Sequence, residues 1–195
     1  MRHLTFLLPL FLFLSACGGG NNPNEPAQSE PTQTETAQKA VAEDDIRTID
    51  IIGINKMKFV VEENGERIGT GETVELTNGE TFLLLENIKA SPGEKIRIRL
   101  TTITKLPAGA MVHNWVLLMQ GADADAFATA AAMARASDYI PADLADQIIA
   151  HTDLAAGGET VEVTFTVPDQ TGSYDYLCSF PGHFAAGMSG KLIVE

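Results

Sequence analysis

From Ile46 onward the chain alternates apolar and polar residues in short runs separated by turn formers. Ile46-Arg47-Thr48-Ile49-Asp50-Ile51 alternates, and Lys56-Met57-Lys58-Phe59-Val60-Val61 continues after Asn55. A period of two puts one face of a strand on a core and the other in water. Asn64-Gly65 and Asn78-Gly79 each lie between β-rich runs, and Asn-Gly suits tight hairpin turns because both residues tolerate positive φ. Glu94 to Thr101 alternates cleanly, which predicts Ile96, Ile98 and Leu100 in a core. Met111 to Met119 is nearly all apolar, as a central strand would be, and Thr160–Val167, Gly172–Cys178 and Gly190–Glu195 complete the set. Many short strands with Gly, Pro and Asn turns predict an all-β fold, an antiparallel sandwich or Greek-key barrel. One stretch departs from this. Ala122 to Ala136 is Ala-rich and helix-forming, with Asp123 and Asp125 near its start, where negative charge suits the helix dipole. Pro141 opens a second short helical run, Ala142 to Ala150, so 122–150 is expected to be a helical insertion covering one sheet edge.

The first 45 residues are a different material. Residues 1–16 have a basic start, a short apolar run from Leu4 to Leu14 and small residues before Cys17, the layout of an export signal. The apolar run is too short for a permanent bilayer span. Leu14-Ser15-Ala16-Cys17 resembles a bacterial lipobox, which implies cleavage before Cys17 and acylation of its thiol and amine. From Cys17 to Asp45 the chain is Gly, Asn, Pro, Glu, Gln, Ser and Thr with few apolar residues. Such a segment cannot bury enough surface to offset its ordering entropy and is expected to be a disordered tether with a span of roughly 30 Å. The domain organisation is therefore a signal peptide (1–16), an acylated tether (17–45) and a folded domain (46–195). That arrangement implies a bacterial, exported protein, lipid-anchored with its domain in the periplasm or on the extracytoplasmic face.

A net charge of −13 excludes a nucleic-acid partner and favours solubility or docking to basic proteins. Of two cysteines, Cys17 belongs to the lipobox, so no pair remains for a disulfide. The other, Cys178, lies in Cys178-Ser179-Phe180-Pro181-Gly182-His183-Phe184-Ala185-Ala186-Gly187-Met188, which puts a thiol, an imidazole and a thioether on one loop. A second imidazole, His113, sits upstream in His113-Asn114-Trp115-Val116. Pro181-Gly182 turns the loop so that His183 can return beside Cys178, and the small residues before Met188 let its sulfur approach axially. Two imidazoles and a thiolate with a weak axial Met form the donor set of a blue-copper electron-transfer site. His151 is read as a surface residue after the helical insertion.

On these residues the chain resembles the cupredoxins, and within them the azurin and auracyanin group, over most of 46–195. His113-Asn114-Trp115-Val116-Leu117 is similar to the azurin segment with the first His ligand, and Cys178-Ser179-Phe180-Pro181-Gly182-His183 to its ligand loop. Ile149-Ala150-His151-Thr152 followed by Gly157-Gly158-Glu159 looks like the stretch after azurin's helical flap. The resemblance implies one copper ion, cycling between Cu(I) and Cu(II), on His113, Cys178, His183 and Met188, with Asn114 tying the two ligand segments together. The Cys-x4-His-x4-Met spacing is closer to auracyanin, Val112 stands where azurin has Gly, and residues 61–82 look like an added hairpin. Met111, Phe180, Pro181, Ala185 and Ala186 are expected to ring His183 as a small apolar docking face for redox proteins, such as cytochromes or membrane electron-transfer complexes.

The implied function is one-electron transfer at a membrane, without enzymatic activity or a small-molecule substrate. Multicopper oxidases and copper nitrite reductases need further His-rich sites, which the three His of the mature chain do not supply. A bridged two-copper centre needs a second Cys in the loop. A zinc hydrolase needs a general base, and neither ligand segment has a carboxylate. Copper delivery or storage by a lipoprotein is the alternative reading.

Overall fold

The computed structural model describes residues 45–195; the expected signal peptide, the acylated Cys17 and the tether to residue 44 lie outside the described residues. The described chain contains β1 (Ile46–Ile54), β2 (Lys58–Val61), β3 (Ile68–Glu75), β4 (Thr81–Ala90), β5 (Lys95–Ile103), β6 (Val116–Leu118), helix α1 (Ala124–Met133), β7 (Ile148–His151), β8 (Thr160–Thr166), β9 (Gly172–Leu177) and β10 (Ser189–Val194). The strands form one sheet in the order β7-β6-β9-β10-β4-β2-β1-β5-β8, with β3 on the other side of β4. This is the expected all-β architecture, with one difference in pairing. β1 runs parallel to β5 and β4 parallel to β10, while the other pairs are antiparallel. Local turns cannot make parallel pairs, so both require long crossovers.

Alternation decided which side chains the barrel encloses. Ile49, Ile51, Ile96, Ile98, Leu100, Phe59, Leu192 and Val194 are buried in the main core, as their period of two predicts. Each such side chain contributes roughly 1.5–3 kcal/mol on leaving water. Strands far apart in the sheet order meet here, because the Trp115 ring, just before β6, lies 5.7 Å from Phe165 of β8 and 5.5 Å from Tyr176 of β9. The sheet has curled round on itself.

Residues 61–82, unexplained at the level of family pattern, build a second small core. Leu76 and Phe82, with Val74, cover Ile52, Ile54 and Val60 on the outer face of β1 and β2. Asn78-Gly79 turns this hairpin as expected, with Gly79 at φ +86° and its N–H donating to Leu76 O at 3.0 Å. Asn64-Gly65 does not make a hairpin. β2 and β3 lie on opposite sides of β4, where Leu83 is paired with both Val61 and Thr73, so the segment carries the chain across β4.

The helical insertion is shorter than 122–150 and sits elsewhere than expected. α1 starts where Asp123 Oδ1 accepts from Ala126 N at 3.0 Å. Its Phe127 and Ala131 pack on Val116, Leu118 and Leu177, the outward side chains of β6 and β9, so the insertion covers a sheet face. The second short run is a 3-10 helix over Ala142–Gln147, as expected, but its last three residues, Ile148–Ala150, belong instead to β7, which takes the edge beyond β6. Pairing with Val116–Leu118 overrides the helix propensity of that segment. Met111–Met119 is buried up to Leu118, but only Val116–Leu118 forms regular strand.

Arg47 Nε and Arg67 Nη2 donate to the two oxygens of Glu94, at 2.6 and 2.8 Å, and Ser91 N adds a third bond at 2.8 Å. Burial alone would raise the Glu94 pKa, but the Ser91 N–H and the two guanidinium groups outweigh it and lower the value from 4.5. A depressed carboxylate pKa stabilises the fold above the unfolded value and ceases to as pH falls through the folded one. Glu94→Gln is therefore expected to cost about 1–2 kcal/mol at pH 7. Urea unfolding of both proteins across a pH series should show that difference shrinking as pH falls below the ordinary value of 4.5 and through the lowered one.

Candidate metal centre

Three buried side chains meet at one end of the barrel. Cys178 directly follows β9, and the run of turns from Phe180 to Met188 returns the chain to β10. His183 N donates to Phe180 O at 3.1 Å and Met188 N to His183 O at 2.9 Å, while Cys178 N closes the loop on Met188 O at 3.0 Å. Gly182 and Gly187 adopt φ of +84° and +87°, the left-handed region that side-chain-bearing residues avoid. His113 comes from the segment before β6 and is braced against Ala155 by reciprocal backbone bonds of 3.1 and 2.7 Å.

The result is a triangle of donor atoms. His113 Nδ1 lies 3.2 Å from His183 Nδ1, Cys178 Sγ lies 3.3 Å from His183 Nδ1, and Cys178 Sγ lies 3.9 Å from His113 Nδ1. Exposure is 0% for His113 and Cys178 and 3% for His183. The triangle's centre is about 2 Å from each corner, the length of a bond from a first-row metal to imidazole or thiolate. Among the described residues this is the group of His, Cys, Asp and Glu that could hold a metal ion. The donor set, two imidazoles and one soft sulfur with no carboxylate, fits copper.

Desolvation lowers the His113 pKa to about 3, helped by the neighbouring His183, although the nearby Ile54 backbone favours protonation. Desolvation likewise lowers His183 to about 4. Both rings are neutral at pH 7, as metal ligands must be. Burial raises the Cys178 thiol to about 12, against the backbone N–H groups of Asn114 and Phe180, which favour the thiolate. Loss of that thiol proton must accompany metal binding. His113 Nε2 is buried and makes no hydrogen bond despite the nearby Ile54 backbone.

The sequence pointed to most of these residues, and the structure adds their supports. Asn114 is bonded twice to Ser179, donating to its Oγ at 2.8 Å and accepting from its N at 2.9 Å, next to Cys178. Met188 is fully buried, with its backbone bonded to both Cys178 and His183. Thr152 Oγ1 accepts from Trp115 N at 3.0 Å and holds the His113 segment. Gly53 lies flush with the imidazole, where an added Cβ would sit 2.6 Å from His113 Cδ2. A lone Gly among isoleucines marks such close approaches, so this position was open to detection. Thr152 gave no such signal.

Of the expected docking residues, Pro181 and Ala185 are exposed, Phe180 and Ala186 are half-buried, and Met111 is buried. The Phe180 ring lies 4.8 Å from His183, centroid to centroid, and 5.0 Å from Tyr139 of the insertion. His151 is exposed on β7, away from the triangle, with Nδ1 3.1 Å from Thr152 O.

A family profile described as copper binding proteins, plastocyanin/azurin family, matches residues 51–195. Auracyanin-A of Chloroflexus aurantiacus is 43% identical over 197 aligned positions, covering 100% of this chain and 96% of that protein. Azurin of Achromobacter denitrificans is 37% identical over 123 positions, covering 62% of this chain and 80% of that protein. The solved structure of auracyanin A, titled a "blue" copper protein, superposes with a TM-score of 0.57 at 32% identity, covering 77% of this chain and 99% of that one.

Asn114→Ala removes both bonds to Ser179 and leaves that residue's N–H and hydroxyl buried without partners. A loss of about 2–3 kcal/mol in denaturant unfolding is expected. Copper affinity, measured by competition with a chelator, should fall roughly 10–100-fold as the ligand segments lose register.

Proposed function

The chain belongs to the plastocyanin/azurin family of copper-binding proteins, a family of blue-copper electron carriers, and from that premise we propose that it is a membrane-tethered one-electron carrier between redox proteins. The observation that carries this reading is the buried triangle of His113, Cys178 and His183. In it these three side chains are the equatorial ligands and Met188 the weak axial one, which helps set the potential. One-electron chemistry comes from a Cu(I)/Cu(II) couple held at these donors. The protein's part is to keep the donors fixed, so that little rearranges when the charge changes. The Asn114–Ser179 bonds, the His113–Ala155 bridge and the Cys178–Met188 bond all serve that end.

His183 lies just beneath the exposed Pro181, Gly182 and Ala185, which supports this end of the barrel as the docking face. A small apolar patch gives the weak, short-lived contacts that repeated electron exchange requires. The apolar run before Leu14-Ser15-Ala16-Cys17 supports export and anchoring through Cys17, and the likeness to auracyanin-A extends over the whole chain. In this reading the domain faces the periplasm or the cell exterior and performs no enzymatic reaction. Copper delivery is less well supported, because full burial of the thiol slows release of the metal to an acceptor.

Cys17→Ser is expected to move the protein from the membrane to the soluble fraction. Titrated there with Cu(II), it should develop an intense thiolate charge-transfer band at one equivalent, bleached reversibly by reductant. Adding Cys178→Ser should abolish that band; a colourless wild-type complex would favour the delivery reading. Separately, Phe180→Asp should leave the band unchanged but slow reduction by a small cytochrome roughly tenfold, about 1.4 kcal/mol in barrier, by stopped-flow absorbance.

A further inference from the structure

We propose that Lys58 is a positioning residue of the metal centre, clamping the ligand loop from outside and raising the reduction potential with its charge. The inference rests on the copper reading above. Lys58 opens β2, directly after Met57, whose φ of 55° and N–H bond to Ile54 O at 2.9 Å turn the chain out of β1. The pairing of Ile54 with Lys58 fixes its place at the rim of the barrel. From there its Nζ donates to Ala186 O at 2.7 Å and reaches within 3.4 Å of Gly187 O.

These carbonyls belong to the four residues between His183 and Met188. The N–H groups of that stretch turn inward, with Ala186 N on Gly182 O at 3.0 Å and Gly187 N on Phe184 O at 2.8 Å. Its carbonyls at 186 and 187 face out, and Lys58 joins them to a strand far away in sequence. Gly187 makes the approach possible, since a Cβ there would lie 2.5 Å from Nζ. Glu72 and Glu75 line the same cleft, yet among the described residues no carboxylate forms an ion pair with Lys58. Its charge is spent on the loop.

Two effects follow from one contact. The clamp fixes the peptide that leads into Met188, and hence the position of the axial sulfur. A cation held beside the site opposes the more positive oxidised state and so favours Cu(I). An Arg can donate to the same carbonyls and carry the same charge; a Met keeps the length and loses both.

The test compares the full-length protein with Lys58→Met and Lys58→Arg. In metal-free protein, amide hydrogen exchange at Gly187 and Met188 is expected to be at least roughly tenfold faster in Lys58→Met, a local opening that Lys58→Arg restores. In copper-loaded protein, Lys58→Met should keep the thiolate band but show a lower midpoint potential, again restored by Arg. Unchanged exchange, an unchanged potential, or failure of Arg to rescue either readout overturns the proposal. Absence of the band from wild-type protein would instead overturn the carrier reading, and the metal-free exchange would still decide whether Lys58 clamps the loop.

Discussion

Three groups that would each prefer water or a hydrogen-bond partner are held within 3.9 Å of one another in a dry interior, and the architecture around them exists to keep them there. The two imidazoles and the thiol have one another at hydrogen-bond distance, but His113 Nε2 has no partner, and burial makes that orphan costly. The surroundings must therefore be stiffer than the donors are reluctant. That stiffness is supplied from several directions: the barrel ends at β6 and β9, the Ala155 bridge, the Asn114 side chain on Ser179 and the Cys178–Met188 backbone bond. The first three join stretches of chain remote in sequence and the last closes the loop between them, so none can be strained without disturbing the others. A metal ion inherits a geometry that the polypeptide has already set.

The main core and the triangle of His113, Cys178 and His183 were legible in the sequence for related reasons. Alternation reports burial directly, which is why Ile96, Ile98 and Leu100 lie where expected. Cys178, His183 and Met188 share one short loop, and His113-Asn114-Trp115 carries a pattern rare enough to recognise. What stayed hidden depends on tertiary partners. Ile148–Ala150 has no local reason to be a strand until Val116–Leu118 lies beside it. Asn64-Gly65 looks like any hairpin turn, and only the choice of β4 by both flanking strands makes it a crossover. Thr152 and Lys58 act through backbone groups of residues 37 or more positions away, and such contacts leave no periodic trace.

The hairpin of β3 and β4 changes the energetic balance of the barrel wall. Toward its end β1 is buried on both faces, with Ile51 against the main core and Ile52 and Ile54 against Leu76 and Phe82. Gly53, the residue flush with His113, lies in that doubly covered stretch. The wall behind the imidazole is thereby thickened where a shift of the strand would move a donor atom.

The place of β10 in the sheet bears on when the site comes into being. It is the last strand among the described residues, yet it lies between β9 and β4, antiparallel to one and parallel to the other. Until Ser189–Val194 has emerged, both neighbours present unpaired edges and the barrel has a gap in its wall. The loop that carries Cys178, His183 and Met188 runs at its far end directly into that strand. A chain still being made or threaded across a membrane from its N-terminus therefore has its first donor, His113, long before it has a cage. Assembly of the metal centre is bound to the insertion of β10, and the thiol stays out of a finished pocket until that strand is in place.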